Sequence, residues 1–305
     1  MSFNNNICSP LTGKANCQKV DRYDVNRIIS NYKKAANIDV KPYFEDLNNI
    51  FLYKCLDTNI EFFVPTNIYG DDHFYQKLQR FEWYYMDNKW EYNKVLNYVT
   101  ANDRVLEIGC GKGSFLKKID SLTNSSVGLE LNSETVKTIR NKGYEVYNED
   151  VKEHAKNNME YYDVVASFQV MEHVPNPKAV ILSSLECLKK GGIYIISVPN
   201  NDAFIKYDRD NYLNIPPHHM LRWNVKSLST LPNIFNLRLE KLFYEPLQNY
   251  HINWYSNILE QRFFKFERLK TLYKISNIKS LVNSYLEHMN YLIRGHTVLA
   301  VYKKQ

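Results

Sequence analysis

Hydrophobic and polar positions divide the chain into three zones. Over residues 1–70 apolar side chains come in short bursts, such as Ile50-Phe51-Leu52-Tyr53 and Phe62-Phe63-Val64, with no long helical or strand period. Over 71–100, Phe74, Leu78, Phe81 and Tyr85 recur at helical spacing, and a second run carries Val95, Leu96 and Tyr98; this predicts connecting helices. From Asp103 onward short apolar runs alternate with amphipathic segments. Arg104–Ile108, Ser126–Glu130, Tyr144–Tyr147, Tyr162–Phe168 and Gly192–Val198 are β-branched and nearly all apolar, as strands covered on both faces must be. Glu134–Lys142 and Lys178–Lys190 read as helices, the second closed by Gly191-Gly192. Such alternation predicts an open, mostly parallel α/β sheet with right-handed crossovers. Later strands near Arg238–Phe243 and His296–Tyr302 bring it to seven, with a helical insert at about 246–294. The expected organisation is therefore a small module at 1–70, connecting helices at 71–100 and an α/β domain at 101–305.

Composition narrows the class. With 44% hydrophobic and 24% charged residues, the 305-residue chain is ordinary globular protein and not a disordered one. No apolar run reaches the roughly 18–20 residues that span a bilayer, and Met1–Asn6 lacks the basic and apolar regions of a signal peptide. A cytoplasmic location is expected. The five cysteines are odd in number and scattered, so they read as reduced thiols. A net charge of +6 is mild for this length and carries no strong nucleic-acid signal.

The most informative stretch is Glu107-Ile108-Gly109-Cys110-Gly111-Lys112-Gly113 at the end of the first α/β strand. Ligands of open parallel sheets sit at the carboxyl ends of strands, and glycines there let the backbone approach the ligand and turn into the next helix. A dinucleotide loop spaces its glycines as G-x-G-x-x-G to seat a pyrophosphate. Here the third glycine comes one residue early, and Glu107 would repel a phosphate while accepting a hydrogen bond from an ammonium. Glu130 ends the second strand, where an acid accepts from ribose hydroxyls. Asp150-Val151 after the third suits an adenine amino group and ring. Together these describe an adenosine with a cationic amino-acid tail and no phosphates.

Over about residues 85–245 the chain resembles the class I S-adenosylmethionine-dependent methyltransferases. Glu107, Gly109, Gly111 and Gly113 match the family's first motif, Glu130 its ribose acid and Asp150 its adenine contact. Phe168-Gln169-Val170-Met171-Glu172-His173-Val174-Pro175 and Leu188-Lys189-Lys190-Gly191-Gly192 match the loops around its fourth and fifth strands. The resemblance implies a Rossmann-like methyltransferase sheet that binds S-adenosylmethionine and releases S-adenosylhomocysteine. Cys110, Leu131, Val151, Phe168 and Gln169 are then further cofactor contacts.

The acceptor is less legible. The amino-methylating branches carry an Asp/Asn-Pro-Pro-aromatic tetrad after the fourth strand, and Ser167-Phe168-Gln169-Val170 lacks it. Pro216-Pro217-His218-His219 lies on a loop after the fifth strand, over the same edge of the sheet. A histidine there suits removal of a hydroxyl or carbon proton. The branch that methylates nucleotide-linked sugars has a Glu-His pair at this loop, which makes His219 the expected base with His218 beside it. His173, Tyr84 and Tyr85 are weaker candidates for the acceptor site. The expected acceptor is a small sugar or glycan precursor, modified at a hydroxyl or carbon. Two other readings remain: a non-catalytic cofactor-binding scaffold, against which the intact cradle argues, and an RNA methyltransferase using the basic, aromatic segment 262–274. That segment equally suits docking on the body or peripheral contact with an anionic membrane.

Many relatives in the sugar and polysaccharide branch begin with a zinc ribbon. Here the matching stretches, Ser9-Pro10-Leu11-Thr12 and Cys55-Leu56-Asp57-Thr58, hold one thiol among four ligand positions. Hydroxyls are poor substitutes for thiolates on zinc. A degenerate ribbon-like module without structural zinc, and no metal elsewhere, is the expectation.

Overall fold

In the computed structural model, which describes residues 7–81, 84, 86–263 and 278–305, the chain begins with β1 (Cys17–Asp24), α1 (Val25–Ala36), β2 (Asn49–Cys55), β3 (Glu61–Val64), α2 (Asp72–Leu78) and α3 (Trp90–Val95). The α/β half follows as β4 (Arg104–Ile108), α4 (Ser114–Ile119), β5 (Ser125–Leu129), α5 (Ser133–Arg140), β6 (Glu145–Tyr147), α6 (Val151–Ala155), β7 (Tyr162–Phe168), α7 (Pro177–Cys187) and β8 (Leu188–Pro199). Then come β9 (Leu221–Arg222), α8 (Val225–Thr230), β10 (Leu237–Pro246), α9 (Ile252–Phe263), α10 (Ile278–Met289) and β11 (Arg294–Lys304).

Seven strands form the main sheet in the order β10-β11-β8-β7-β4-β5-β6. Pairing is parallel from β8 through β6, and β11 runs antiparallel to both of its neighbours. β4 lies inside the sheet, between β7 and β5, with all positions buried except Arg104, and Glu107 is the one charged residue among them. The chain leaves β4 toward β5 and β6 on one side, then crosses to β7 and β8 on the other. The β4/β7 boundary is thus the topological switch point, where open sheets of this kind bind ligands.

Three elements differ from the sequence reading. Residues 1–70 do contain a helix: in α1, Val25, Ile28, Ile29 and Tyr32 recur at helical spacing and pack on the core, a stripe that the sequence reading passed over. The helical run predicted from Phe74 to Tyr85 stops after Leu78. Phe81 N–H bonds Leu78 O and Tyr84 N–H bonds Phe81 O, tight i→i+3 turns that keep the same apolar spacing. Tyr85 itself, and residues 264–274 of the basic segment, lie outside the described residues. The helix expected to reach Lys190 ends at Cys187, because Leu188 already pairs with Tyr162 in the sheet.

The amino-terminal strands form a four-stranded antiparallel sheet, β1-β2-β3-β9, whose last member comes from the α/β half. This sheet grips the loop that leads into β9. Phe63 N–H bonds Met220 O, Gly70 N–H bonds Pro217 O, and the buried Tyr32 hydroxyl donates to Ile215 O. Arg222 is buried with its guanidinium on Asn214 O at 2.9 and 3.1 Å, and it lies over the Phe63 ring. Charge-assisted bonds of this kind hold a loop more firmly than neutral ones. The Pro-Pro-His-His loop is therefore clamped between the two sheets.

Candidate functional site

One cavity of about 1540 Å³ opens over the carboxyl ends of β4, β5 and β7. Gly109 and Gly111 line it, with φ of +68° and +52°, a left-handed backbone that favours glycine. A Cβ on Gly109 would come within 2.6 Å of Val170 Cγ2, so the loop after β7 packs directly on the glycine turn. Cys110, buried, fills the space above Gly128 that a side chain there would claim.

Glu130 shapes the turn from the neighbouring strand. Its carboxylate accepts from Gly111 N–H at 3.0 Å and from Asn132 N–H at 2.9 Å. Burial raises its pKa, and these backbone donors oppose that shift. Asp150 caps α6 by accepting from Glu153 N–H at 2.8 Å, and the buried Val151 follows it on the cavity wall. Leu131, 61% exposed, stands at the rim. Phe168 is buried against Phe115 and Tyr92, so it supports the floor. Gln169 follows at φ +57°, rare for a residue other than glycine, with its amide on Ser197 Oγ at 3.0 Å.

Two predicted contacts lie behind the wall. Gly113 forms the N-cap of α4, and Glu107 sits beneath the turn, buried, with Oε2 unpartnered among the described residues and its pKa raised by burial. A buried carboxylate oxygen without a donor awaits a cationic or polar partner. These features fit the adenosine and amino-acid tail implied by the resemblance. The tight glycine backbone leaves room, Glu130 lines the cavity, and Glu107 lies behind the turn with a carboxyl oxygen open to a polar tail.

The rest of the wall joins residues distant in sequence. His173, on the loop after β7, meets His218 and His219 at ring-centroid distances of 4.6 and 4.9 Å, and the latter two stack at 4.5 Å. Their Nδ1 atoms are each occupied, by His218 O at 2.7 Å, Leu213 O at 2.8 Å and Asn214 Oδ1 at 3.2 Å respectively. An oxygen acceptor there fixes the proton on Nδ1 and leaves Nε2 as the lone-pair nitrogen. Asn214 cannot present its amide nitrogen instead, because that group donates to Asn201 Oδ1 at 2.9 Å. Burial lowers all three pKa values, that of His173 to about 4, so the rings are neutral. Tyr84 faces His218 at 5.9 Å.

Sequence reasoning missed several lining residues. Tyr75 lies edge-on to His173, while Glu172 is buried with its pKa raised to about 8. At the far end Glu245, Tyr250, His251, Trp254 and His296 close the cavity, and Tyr250 donates to Glu245 Oε1 at 3.3 Å. No local motif marks these positions, because β10, α9 and β11 bring them together only on folding. The ribbon positions also converge: Cys55 is hydrogen-bonded with Ser9 and Thr58, which hold its pKa down against burial.

A family model described as a methyltransferase domain matches residues 60–257, more than half of the chain. Among curated proteins, the ubiquinone biosynthesis O-methyltransferase of Aliivibrio fischeri (strain MJ11) is 32% identical over 119 residues, covering 35% of this chain and 51% of that protein. Its counterpart in Salmonella arizonae is 31% identical over 106 residues, covering 33% and 44%. The chain thus spans about half the length of the curated relatives it matches. A solved S-adenosylmethionine-dependent methyltransferase from Archaeoglobus fulgidus aligns with 70% of this chain and 91% of its own, at 19% identity and a TM-score of 0.48. On the match to residues 60–257, the chain belongs to the methyltransferase domain family.

Proposed function

We propose that the protein transfers the methyl group of S-adenosylmethionine to a hydroxyl of a sugar or glycan precursor. One observation carries the reading: three neutral histidines, each with Nδ1 tied to an oxygen, line the same cavity as the glycine cradle. The cofactor supplies an electrophilic methyl on a sulfonium, whose bonding pair leaves with the sulfur. Gly109 and Gly111 would seat its tail over Glu107, Glu130 would take the ribose, and Asp150 and Val151 the adenine. His219 would receive the acceptor's hydroxyl proton at Nε2. Holding both partners in one cavity supplies much of the rate in such transfers.

An aromatic face beside an acid, as in Tyr250 on Glu245 with Trp254 lining the same cavity, suits a polyol ring. The matched relatives are named as O-methyltransferases, which agrees with an oxygen acceptor. The test measures S-adenosylhomocysteine release against panels of nucleotide sugars and of phenols. Turnover with a sugar is expected, and turnover with phenols alone would refute the sugar assignment. In the His219→Ala variant turnover should fall roughly 10²–10⁴-fold with cofactor affinity unchanged. Full turnover there would remove the histidine from proton transfer.

A further inference from the structure

The arrangement of His173, His218 and His219 is more specific than a single base requires. One ring nitrogen of each lies within 4.8 Å of one on both others. All three Nδ1 atoms are tied to oxygens, two backbone carbonyls and one side-chain amide. Metal-binding histidines show this second layer almost without exception, because it fixes the tautomer and aims Nε2 at the ion. Among the described residues, the buried His218 Nε2 has no partner, nor has the buried Glu172 Oε2, whose companion oxygen is 3.9 Å from His173 Nε2. Buried polar atoms without partners are rare, and two beside one histidine cluster call for an occupant.

We infer that His173, His218 and His219 form a three-histidine site for a divalent transition ion of the zinc class, with its remaining coordination position open to the cavity. Imidazole ligands select zinc, cobalt, nickel or copper over magnesium or calcium. Three protein ligands and an open position are the pattern of a working rather than a structural zinc site. Bonds of about 2.0–2.1 Å require the three nitrogens to draw together, and the clamp on the 211–222 loop sets the limit of that movement. The buried Glu172 carboxyl would balance part of the added charge. Given the methyl-transfer reading above, on which this role alone rests, the ion would hold and acidify the acceptor hydroxyl; His219 would then be a ligand in place of the proton acceptor, and the neighbouring Glu172 carboxylate would take the proton.

The experiment is titration of the metal-stripped full-length protein with Co²⁺, read by its visible absorption, alongside calorimetry with S-adenosylhomocysteine. One equivalent bound with a four- or five-coordinate spectrum is expected, lost in His173→Gln and in His218→Gln. Asn214→Ala, which removes only the oxygen behind His219, should weaken binding roughly 10–100-fold. X-ray absorption at the zinc edge of the wild-type protein reads the ligands without any substitution. Imidazole nitrogens and no sulfur are expected. Absence of Co²⁺ binding, binding that survives the histidine substitutions, or a sulfur shell would each overturn the site. Normal S-adenosylhomocysteine binding beside any of these would leave the cofactor reading standing.

Discussion

Gly109→Ala tests the contact on which the cradle depends. The residue sits at φ +68°, where a Cβ costs roughly 1–2 kcal/mol. The added methyl would also lie 2.6 Å from Val170 Cγ2, and such overpacking costs roughly 1–3 kcal/mol. Together the change should destabilise the protein by roughly 2–5 kcal/mol. The two parts can be separated. Val170→Ala removes the opposing methyl and leaves the backbone conformation untouched, so it should rescue only the steric part. The double-mutant cycle should therefore show a favourable coupling of roughly 0.5–3 kcal/mol. Urea unfolding followed by circular dichroism gives the four midpoints, and calorimetry with S-adenosylhomocysteine reports whether the turn still accepts its ligand. A Gly109→Ala protein as stable as the parent, or a cycle with no coupling, would refute the packing of the β7 loop on the glycine turn.

Further expectations rest on the buried acids. Glu130→Ala removes the acceptor of two backbone N–H groups and the proposed ribose contact, so S-adenosylhomocysteine affinity should fall roughly 10–150-fold, the equivalent of a charged hydrogen bond of about 1.5–3 kcal/mol; unchanged affinity by calorimetry would refute that role. Glu172, with its pKa raised by burial to about 8, favours the folded state fully below its ordinary value of 4.5 and loses that contribution as pH rises through about 8. Urea midpoints should therefore decline across this window, and Glu172→Gln should flatten the decline. His173 has the opposite sign. Its pKa is lowered to about 4, so its contribution is present above 6.5 and is lost as pH falls through about 4. His173→Gln should remove that acid-side loss, as read from midpoints between pH 7 and 4, and an unaltered profile would contradict the burial of the ring.

Fold and site were legible to different depths, for physical reasons. β4 and β7 stood out because strands covered on both faces must be apolar almost throughout, and their bounds in the structure match the sequence reading. α1 was legible but unread: Val25, Ile28, Ile29 and Tyr32 make a helical stripe within a zone otherwise filled by short strands. The run from Phe74 to Phe81 misled because tight turns after Leu78 keep apolar residues three apart, as a helix does. The cradle could be read because Gly109, Gly111 and Glu130 belong to consecutive strand–turn units. The acceptor end could not. Glu172, Glu245, Tyr250 and Trp254 line one cavity only because β10, β11 and α9 fold over the same sheet edge, and no spacing records that meeting.

Calorimetric titration of the purified protein with S-adenosylmethionine and S-adenosylhomocysteine, with NAD as the control, decides between a methyl-donor site and a dinucleotide site. Both sulfur ligands should bind at one site per chain and NAD should not, since the Glu130 carboxylate occupies the Gly111 N–H of the turn where a pyrophosphate would lie. Binding of NAD, or of neither sulfur ligand, would contradict the methyl-donor site.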